Sequence, residues 1–419
     1  IHVFGEEQHH AYDRVHLTDY MTGQDALALR LHQEDFHTAH GITLHLNSRI
    51  TDIDRAAKTV TTENGTIPYT TLILATGSTP FVPPVPGNTG TAGLVYRTLE
   101  DLDLIRAAAK GAEHSTVIGG GLLGLEAANA LKVLGLDVSM IQLGTHLMSA
   151  QLDEEGGRAL KKRIEALGID VRVLHQTQEI VPGTTHRHKL IFADGSTLET
   201  DMVVFSAGIK PQDLLGRACG LEIGSRGGIV VDNQCRTSAP DIFAVGECAL
   251  WEGQIFGLVA PGYTMARTVA ALLAGDAEAA FTGADMSTKL KLQGVDVGSI
   301  GDAHGREPDC TSYRFIGEAD GSYRRLVLSA DGSRVTGAVL VGDNSYYDTI
   351  FQYVQNKIAP PADPAVLILP RGEGAEPLGA DALPDTATIC SCHNVTKGAI
   401  STAIEQGCTD LGTLKKDTK

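Results

Sequence analysis

The most constraining feature of this sequence lies at residues 115–143. Residues 115–118 read as the end of a short apolar strand, and Gly119-Gly120-Gly121-Leu122-Leu123-Gly124 follows directly. The next stretch, LGLEAANALKVLG, has an apolar face at helical spacing and closes on Gly135, a C-cap residue. DVSMIQL, residues 137–143, is a second strand candidate. Strand, GxGxxG, helix and strand within about 30 residues is the pattern of a dinucleotide-binding βαβ unit. In such a unit Gly119 permits the tight turn, Gly121 lets backbone approach a diphosphate, and Gly124 allows close helix–strand packing. The diphosphate sits over the helix N-terminus, where free N–H groups and the dipole favour an anion. A glycine-rich structural turn is the competing reading, and the flanking strands weigh against it.

Other segments extend an α/β pattern. TLILATGS (71–78) is an apolar strand running into a glycine turn, followed by the proline-rich STPFVPPVPG. DIFAVGECA (241–249) is another strand, with a helical stretch at 263–273 after it, and MVVFSAGI (202–209) ends before Lys210-Pro211. Each also suits an ordinary buried strand. From 288 to 342 the pattern changes to alternation, with Asp-Gly turns at 320–321 and 331–332, which predicts an antiparallel sheet. One helix is expected over 345–357. Residues 359–385 hold six prolines (360, 361, 364, 370, 377 and 384) and read as a linker whose VLIL segment packs on the body. Residues 386–419 form a separate small unit.

Composition narrows the function classes. The chain has 419 residues, 34 Lys plus Arg against 51 Asp plus Glu, and a net charge of −17. That excess opposes a sequence-blind grip on nucleic acid and leaves room for basic protein partners. A hydrophobic fraction of 42% excludes wholesale disorder. No apolar run reaches about 18 residues, so no membrane-spanning helix is expected. Seven unevenly spread cysteines do not make a disulfide scaffold and point to a reducing, cytoplasmic setting. The chain opens on Ile1 without a charged-then-apolar leader.

Taken in order, these pieces resemble the flavoprotein reductases that bind FAD in one dinucleotide domain and NAD(P)H in the next. Within that group the chain is most similar to the flavin-containing front part of the assimilatory NAD(P)H nitrite reductase large subunits. The resemblance rests on YDRVHL (12–17), YRTLEDLDLI (96–105), GGGLLGLEAA (119–128), TKLKLQGVDVGSIGD (288–302) and CSCHNVTKG (390–398). It implies an α/β fold with FAD and NAD(P)H domains, an α+β C-terminal domain and a small helical tail. The boundaries expected are 1–110 with 236–285 for FAD, 111–235 for NAD(P)H, 286–358 for the C-terminal domain, 359–385 for the linker and 386–419 for the tail.

The resemblance also implies site residues. Glu6, after the strand IHVFG, matches an acid that holds the adenosine ribose, with Glu7 as the neighbouring candidate. Arg14 and Arg97 match arginines near the flavin and its diphosphate, and Ile50 a residue that reaches the adenine through its backbone. Thr76 and Gly77 lie in the ATG turn under the cofactor. Glu247 falls where most relatives have Asp at the ribityl chain, and Ala260 and Pro261 lie near the isoalloxazine ring. On the nicotinamide side Glu126 and the Ala207-Gly208 turn match lining positions. The ribose-discriminating position is Gln142, neither an acid for NADH nor accompanied by an Arg for NADPH, though His146 is close. Cofactor preference stays open.

The family's first glycine fingerprint should precede IHVFG, so about 30 residues are expected ahead of this start. No Cys occurs in the first 218 residues, which opposes the thiol–disulfide chemistry of related folds. Cys219, Cys235 and Cys310 read as small buried residues, and Cys248 adjoins the flavin contact. Cys390 and Cys392, one residue apart, suit half of an iron–sulfur or zinc site. The segment resembles the [2Fe–2S] domain of the bacterioferritin-associated ferredoxin type, whose second cysteine pair would follow residue 419; Cys408 matches no ligand position.

The activity so implied is electron transfer. NAD(P)H gives hydride to FAD, single electrons pass through the [2Fe–2S] centre, and the acceptor is a sirohaem and [4Fe–4S] domain reducing nitrite to ammonium. No part of that acceptor domain lies in these residues. Alternatives are a stand-alone reductase subunit of nitrate reductase or rubredoxin reductase type, or a non-catalytic nucleotide-binding module. A homo-oligomer is the family expectation.

Overall fold

The computed structural model describes residues 1–292, 294–370, 383–390 and 395–418. Two compact units emerge, one of Ile1–Gly119, Glu126–Val138 and Thr177–Ala284, the other of Gly120–Leu125, Ser139–Gln176 and Asp285–Lys419.

In the first unit the strand His114–Ile118 pairs in parallel with Met202–Phe205, and that strand pairs in parallel with Leu94–Val95. Every residue of Met202–Phe205 is buried, as expected of a parallel strand covered on both faces. The glycine run leaves His114–Ile118 and enters the helix Leu122–Val133. A second parallel pair, Leu72–Leu74 with Ile242–Ala244, lies in the core formed by Leu74, Phe243, Cys248, Trp251, Met265 and Phe281. The strand His2–Phe4 pairs in parallel with Thr43–His45.

One expected strand runs into its glycine turn as the sequence predicts and then continues as a second strand, and another is broken. The 71–78 segment is the strand Leu72–Leu74, a turn at Ala75-Thr76-Gly77, and a new strand Ser78–Pro80 that pairs antiparallel with Ile209–Pro211. The positive φ of Gly77, 67°, supplies the reversal. The 202–209 segment splits in the same way, its end serving as the partner Ile209–Pro211. The helix expected at 263–273 begins earlier, as Val259–Leu273. Pro261 sits in its first turn, where a missing N–H leaves no helical bond unmade.

In the second unit five antiparallel strands run in the order Thr288–Leu292, Val295–Gly301, Val335–Val341, Ser322–Leu328, Thr311–Gly317. All seven residues of Val335–Val341 are buried, so the expected in–out alternation is absent from the central strand. Both faces are covered. On one side Ile350 of the helix Tyr347–Gln355 joins Ile300, Leu326 and Leu340, and Leu367 and Ile368 of the proline-rich segment complete this cluster. On the other, the helix Glu154–Ala166 begins at Asp153, whose carboxylate accepts from the Tyr323 hydroxyl at 2.6 Å and pairs with Arg325 at 3.2 Å. Tyr347–Gln355 is two residues shorter at each end than expected, because Asp343 binds the Ser345 N–H in a turn and Lys357 is left-handed. The tail pairs Thr388–Cys390 with Val395–Thr396 ahead of the helices Lys397–Glu405 and Leu411–Asp417. The Thr388 N–H donates to Asn356 at 3.0 Å. Among the described residues no helix is long and apolar enough to cross a membrane.

Candidate functional site

Arg97 is set in place by the helix that follows it. Thr98 and Asp101 form a reciprocal capping box at the start of Leu99–Ala109, which fixes the chain at Arg97. Its Nη2 donates to Glu247 at 2.5 Å and to the Ser78 hydroxyl at 2.9 Å, and Ser78 donates to the same Glu247 oxygen at 2.8 Å. Glu247 lies in the single turn Gly246–Cys248 after Ile242–Ala244, and Ser78 follows the Gly77 turn. The Arg97 and Glu247 side chains are only 16% and 19% exposed. Arg97 Nε is nevertheless buried with no partner among the described residues. A buried donor without an acceptor is uncommon in a folded protein and fits a group that receives it when bound.

A second ion pair extends this cluster. Arg14 donates to the Arg97 carbonyl at 2.9 Å and pairs with Glu7, which also accepts from the Tyr12 hydroxyl at 2.6 Å. Burial pushes the Tyr12 phenol well above its usual range, so it acts as a neutral donor. Glu7 is thus committed to Arg14 and Tyr12. Its neighbour Glu6 is exposed and lines a groove of about 490 Å³ with Asn47, Arg49, Thr51 and Glu63; Arg49 stands 3.6 Å from it. Ile50 lies between two groove residues in sequence and packs its side chain on the core.

The ATG turn is bound internally. Thr76 donates to the Gln212 carbonyl at 2.6 Å, and the Gln212 N–H donates to Gly77 at 2.9 Å. Ala260 is half-buried and Pro261 buried at the start of Val259–Leu273. Cys248, beside Glu247, is fully buried and holds the Leu74 carbonyl at 3.4 Å; desolvation raises its thiol, an inert setting. Cys235 is buried with its thiol pushed up to about 12 by desolvation. Cys219 and Cys310 are half-buried, more open than expected, because both sit where a helix or loop meets the surface.

At the glycine run, Gly119 has φ 119°, and a Cβ there would stand 2.1 Å from the Ser206 carbonyl oxygen. Only glycine fits. Ser206 donates to the Ile118 carbonyl at 2.8 Å, leading into Ala207-Gly208, whose Gly208 carbonyl accepts from Phe81 at 2.8 Å. A Cβ on Gly121 would meet nothing within 4 Å, which leaves its backbone approachable, and Gly124 is buried. Glu126, on the following helix, is half-buried; desolvation raises its carboxyl to about 7 against the opposing charge of His16. Gln142 ends the strand Asp137–Gln142 and accepts from the Gly120 N–H at 2.9 Å.

The structure brings Glu7, Arg14, Arg97 and Glu247 into one bonded chain and joins Gln142 to the glycine run. Ser78, its central hydroxyl, escaped the sequence reading; its position after ATG was the one available signal. Cys390 ends the strand Thr388–Cys390 and is half-buried, whereas Cys392 lies outside the described residues. Among the described residues no group of three or more His, Cys, Asp or Glu side chains is arranged to hold a metal ion.

The family model described as pyridine nucleotide-disulphide oxidoreductase matches residues 1–275, and the rubredoxin NAD+ reductase C-terminal domain matches residues 287–358. The chain is 54% identical to the nitrite reductase [NAD(P)H] large subunit of Klebsiella oxytoca, over 100% of this chain and 44% of that protein. It is 48% identical to the nitrite reductase (NADH) large subunit of Escherichia coli (strain K12), over 100% of this chain and 50% of that one. Among solved structures, the ferredoxin reductase for the CYP199A2 system of Rhodopseudomonas palustris aligns with a TM-score of 0.76 and 27% identity, covering 86% of this chain and 89% of that chain. The chain spans about half the length of the curated relatives it matches.

Proposed function

Because the chain belongs to the pyridine nucleotide-disulphide oxidoreductase family, whose members use FAD and NAD(P)H, we propose that it is the NAD(P)H-oxidising flavoprotein part of a nitrite reductase. The observation that carries the flavin reading is the Arg97–Ser78–Glu247 cluster with its unpartnered Arg97 Nε. When bound, FAD supplies the conversion between a two-electron donor and one-electron acceptors. The residues of this chain bind and orient it. Arg97 and Glu247 meet the flavin and its ribityl chain, and Arg14, held by Glu7 and Tyr12, meets the diphosphate. Glu6 in its groove takes the adenosine ribose, with Ile50 beside it at the adenine. Thr76 and Gly77 form the floor, and Ala260 and Pro261 border the ring.

For the nicotinamide nucleotide, the backbone of Gly119, Gly121 and Gly124 cradles the diphosphate, and Ala207-Gly208 lines the site. Glu126 stands near neutrality, able to hold or release a proton at its carboxyl beside the nicotinamide.

The proposed substrate of the larger protein is nitrite, the substrate named for the relatives; electrons leave this chain toward a downstream redox domain. Cys390 and Cys392 form one half of a [2Fe–2S] site, a reading that rests on their spacing in the sequence. Flavin retention by wild type and by Arg97→Ala tests the assignment: wild type should hold FAD and the variant should lose most of it. Equal retention would sink it.

A further inference from the structure

Gln142 occupies the place where an acidic side chain would select the ribose of the nucleotide, yet its carboxamide is already spent on the protein. Oε1 accepts from the Gly120 N–H at 2.9 Å, and Nε2 donates to the His146 carbonyl at 3.2 Å. The orientation of the amide is fixed by chemistry, since a backbone N–H can only donate. On its other side, the Gly120 carbonyl accepts from the Met148 N–H at 2.8 Å, so Gly120 is held through both its N–H and its C=O. The grip is backed by a rigid wall. The His146 ring is bonded to the Leu152 carbonyl at 3.1 Å, and it fills space that Gly157 leaves open, where a Cβ would stand 2.5 Å from the ring.

We infer that Gln142 is a positioning residue that latches the glycine run onto the 146–148 segment, and that it does not set the choice between NADH and NADPH. This rests on the reading of the glycine run as the diphosphate cradle. A primary amide of this length offers an acceptor oxygen and a donor NH2, matching Gly120 N–H and His146 C=O together. A carboxylate satisfies the first and repels the second. An aliphatic side chain satisfies neither. Either change loosens the cradle, which both nucleotides share, so affinity falls for both alike.

The test is calorimetric titration of the full chain with NAD+ and with NADP+, in wild type, Gln142→Glu and Gln142→Leu. Loss of one or both bonds should weaken each nucleotide by about tenfold in both variants at pH 8, with the NAD+ to NADP+ ratio unchanged within about threefold. Protonating the glutamate restores a donor toward His146. Binding of NAD+ by Gln142→Glu should therefore recover in part as the pH falls through the ordinary glutamate range to about 4.5, relative to wild type at the same pH, whereas Gln142→Leu should not recover. A selective gain for NAD+ in Gln142→Glu would make Gln142 a ribose selector and overturn the inference. So would unchanged binding in both variants, or weakening without any recovery at about pH 4.5. If wild type itself bound neither nucleotide, the cradle reading would fail instead.

Discussion

Replacing Glu126 by Gln should stabilise the protein more at alkaline than at mildly acidic pH. The carboxyl is raised from 4.5 to about 7 by burial, with His16 opposing. In the unfolded chain it ionises near its ordinary value, so between these values the folded state binds the extra proton. Stability is full below about 4.5, falls as pH rises, and levels off above about 7. At about 1.4 kcal/mol per unit, the full penalty approaches ~3 kcal/mol, an upper bound because the side chain is not fully enclosed. Most of it develops before pH 6, and roughly 1.4 kcal/mol remains to be lost between pH 6 and pH 8.5. Glutamine carries no such penalty. The stability gap between Glu126→Gln and wild type should widen by about that amount over this interval, a few degrees in Tm for a domain of this size. Calorimetric scans of both proteins at the two pH values measure it. A gap that stays constant, or narrows as pH rises, would refute the burial of an ionisable carboxyl at this position.

Other outcomes follow from the same geometry. Ser78→Ala removes the hydroxyl bridging Arg97 and Glu247 and should weaken FAD binding several-fold, at about 1 kcal/mol, in a fluorescence titration; unchanged affinity would show the pair holds itself. Gly119→Ala meets both a left-handed backbone and the Ser206 carbonyl and should cost at least about 2 kcal/mol of stability in denaturant unfolding. Gly121→Val has open space around it and should fold normally, keep FAD, and lose nicotinamide nucleotide binding by titration. Cys390→Ser in the full-length protein should lower iron and acid-labile sulfide while leaving flavin content unchanged.

The glycine run was legible because its pattern is local. The strand, glycine and helix pattern around Gly119 is written into neighbouring residues, although the carbonyl that excludes a Cβ there belongs to the distant Ser206. Arg14 and Arg97 were legible only through resemblance, since nothing in spacing tells Arg97 that Glu247 and Ser78 lie beside it. The Arg97–Glu247 contact joins segments 150 residues apart in the chain, and such long-range pairing leaves no periodic trace. The assignment of Glu6 against Glu7 illustrates the same limit: adjacent acids look alike in sequence, while the fold gives Glu7 to Arg14 and Glu6 to an open groove. Alternation misled at Val335–Val341, because helices cover both faces of that sheet and bury every residue. Gln142 was read as a missing acid, and its two bonds became visible only with the Gly120 and His146 backbone in place.

The central claim, that this chain takes electrons from a nicotinamide nucleotide into a bound flavin, is tested most directly by anaerobic mixing of the FAD-loaded protein with NADH and with NADPH. The account predicts rapid loss of the flavin's visible absorbance with at least one of them, and loss of that response in Gly121→Val. A protein that binds FAD and nucleotide yet keeps an oxidised flavin through many turnovers' worth of reductant would contradict it.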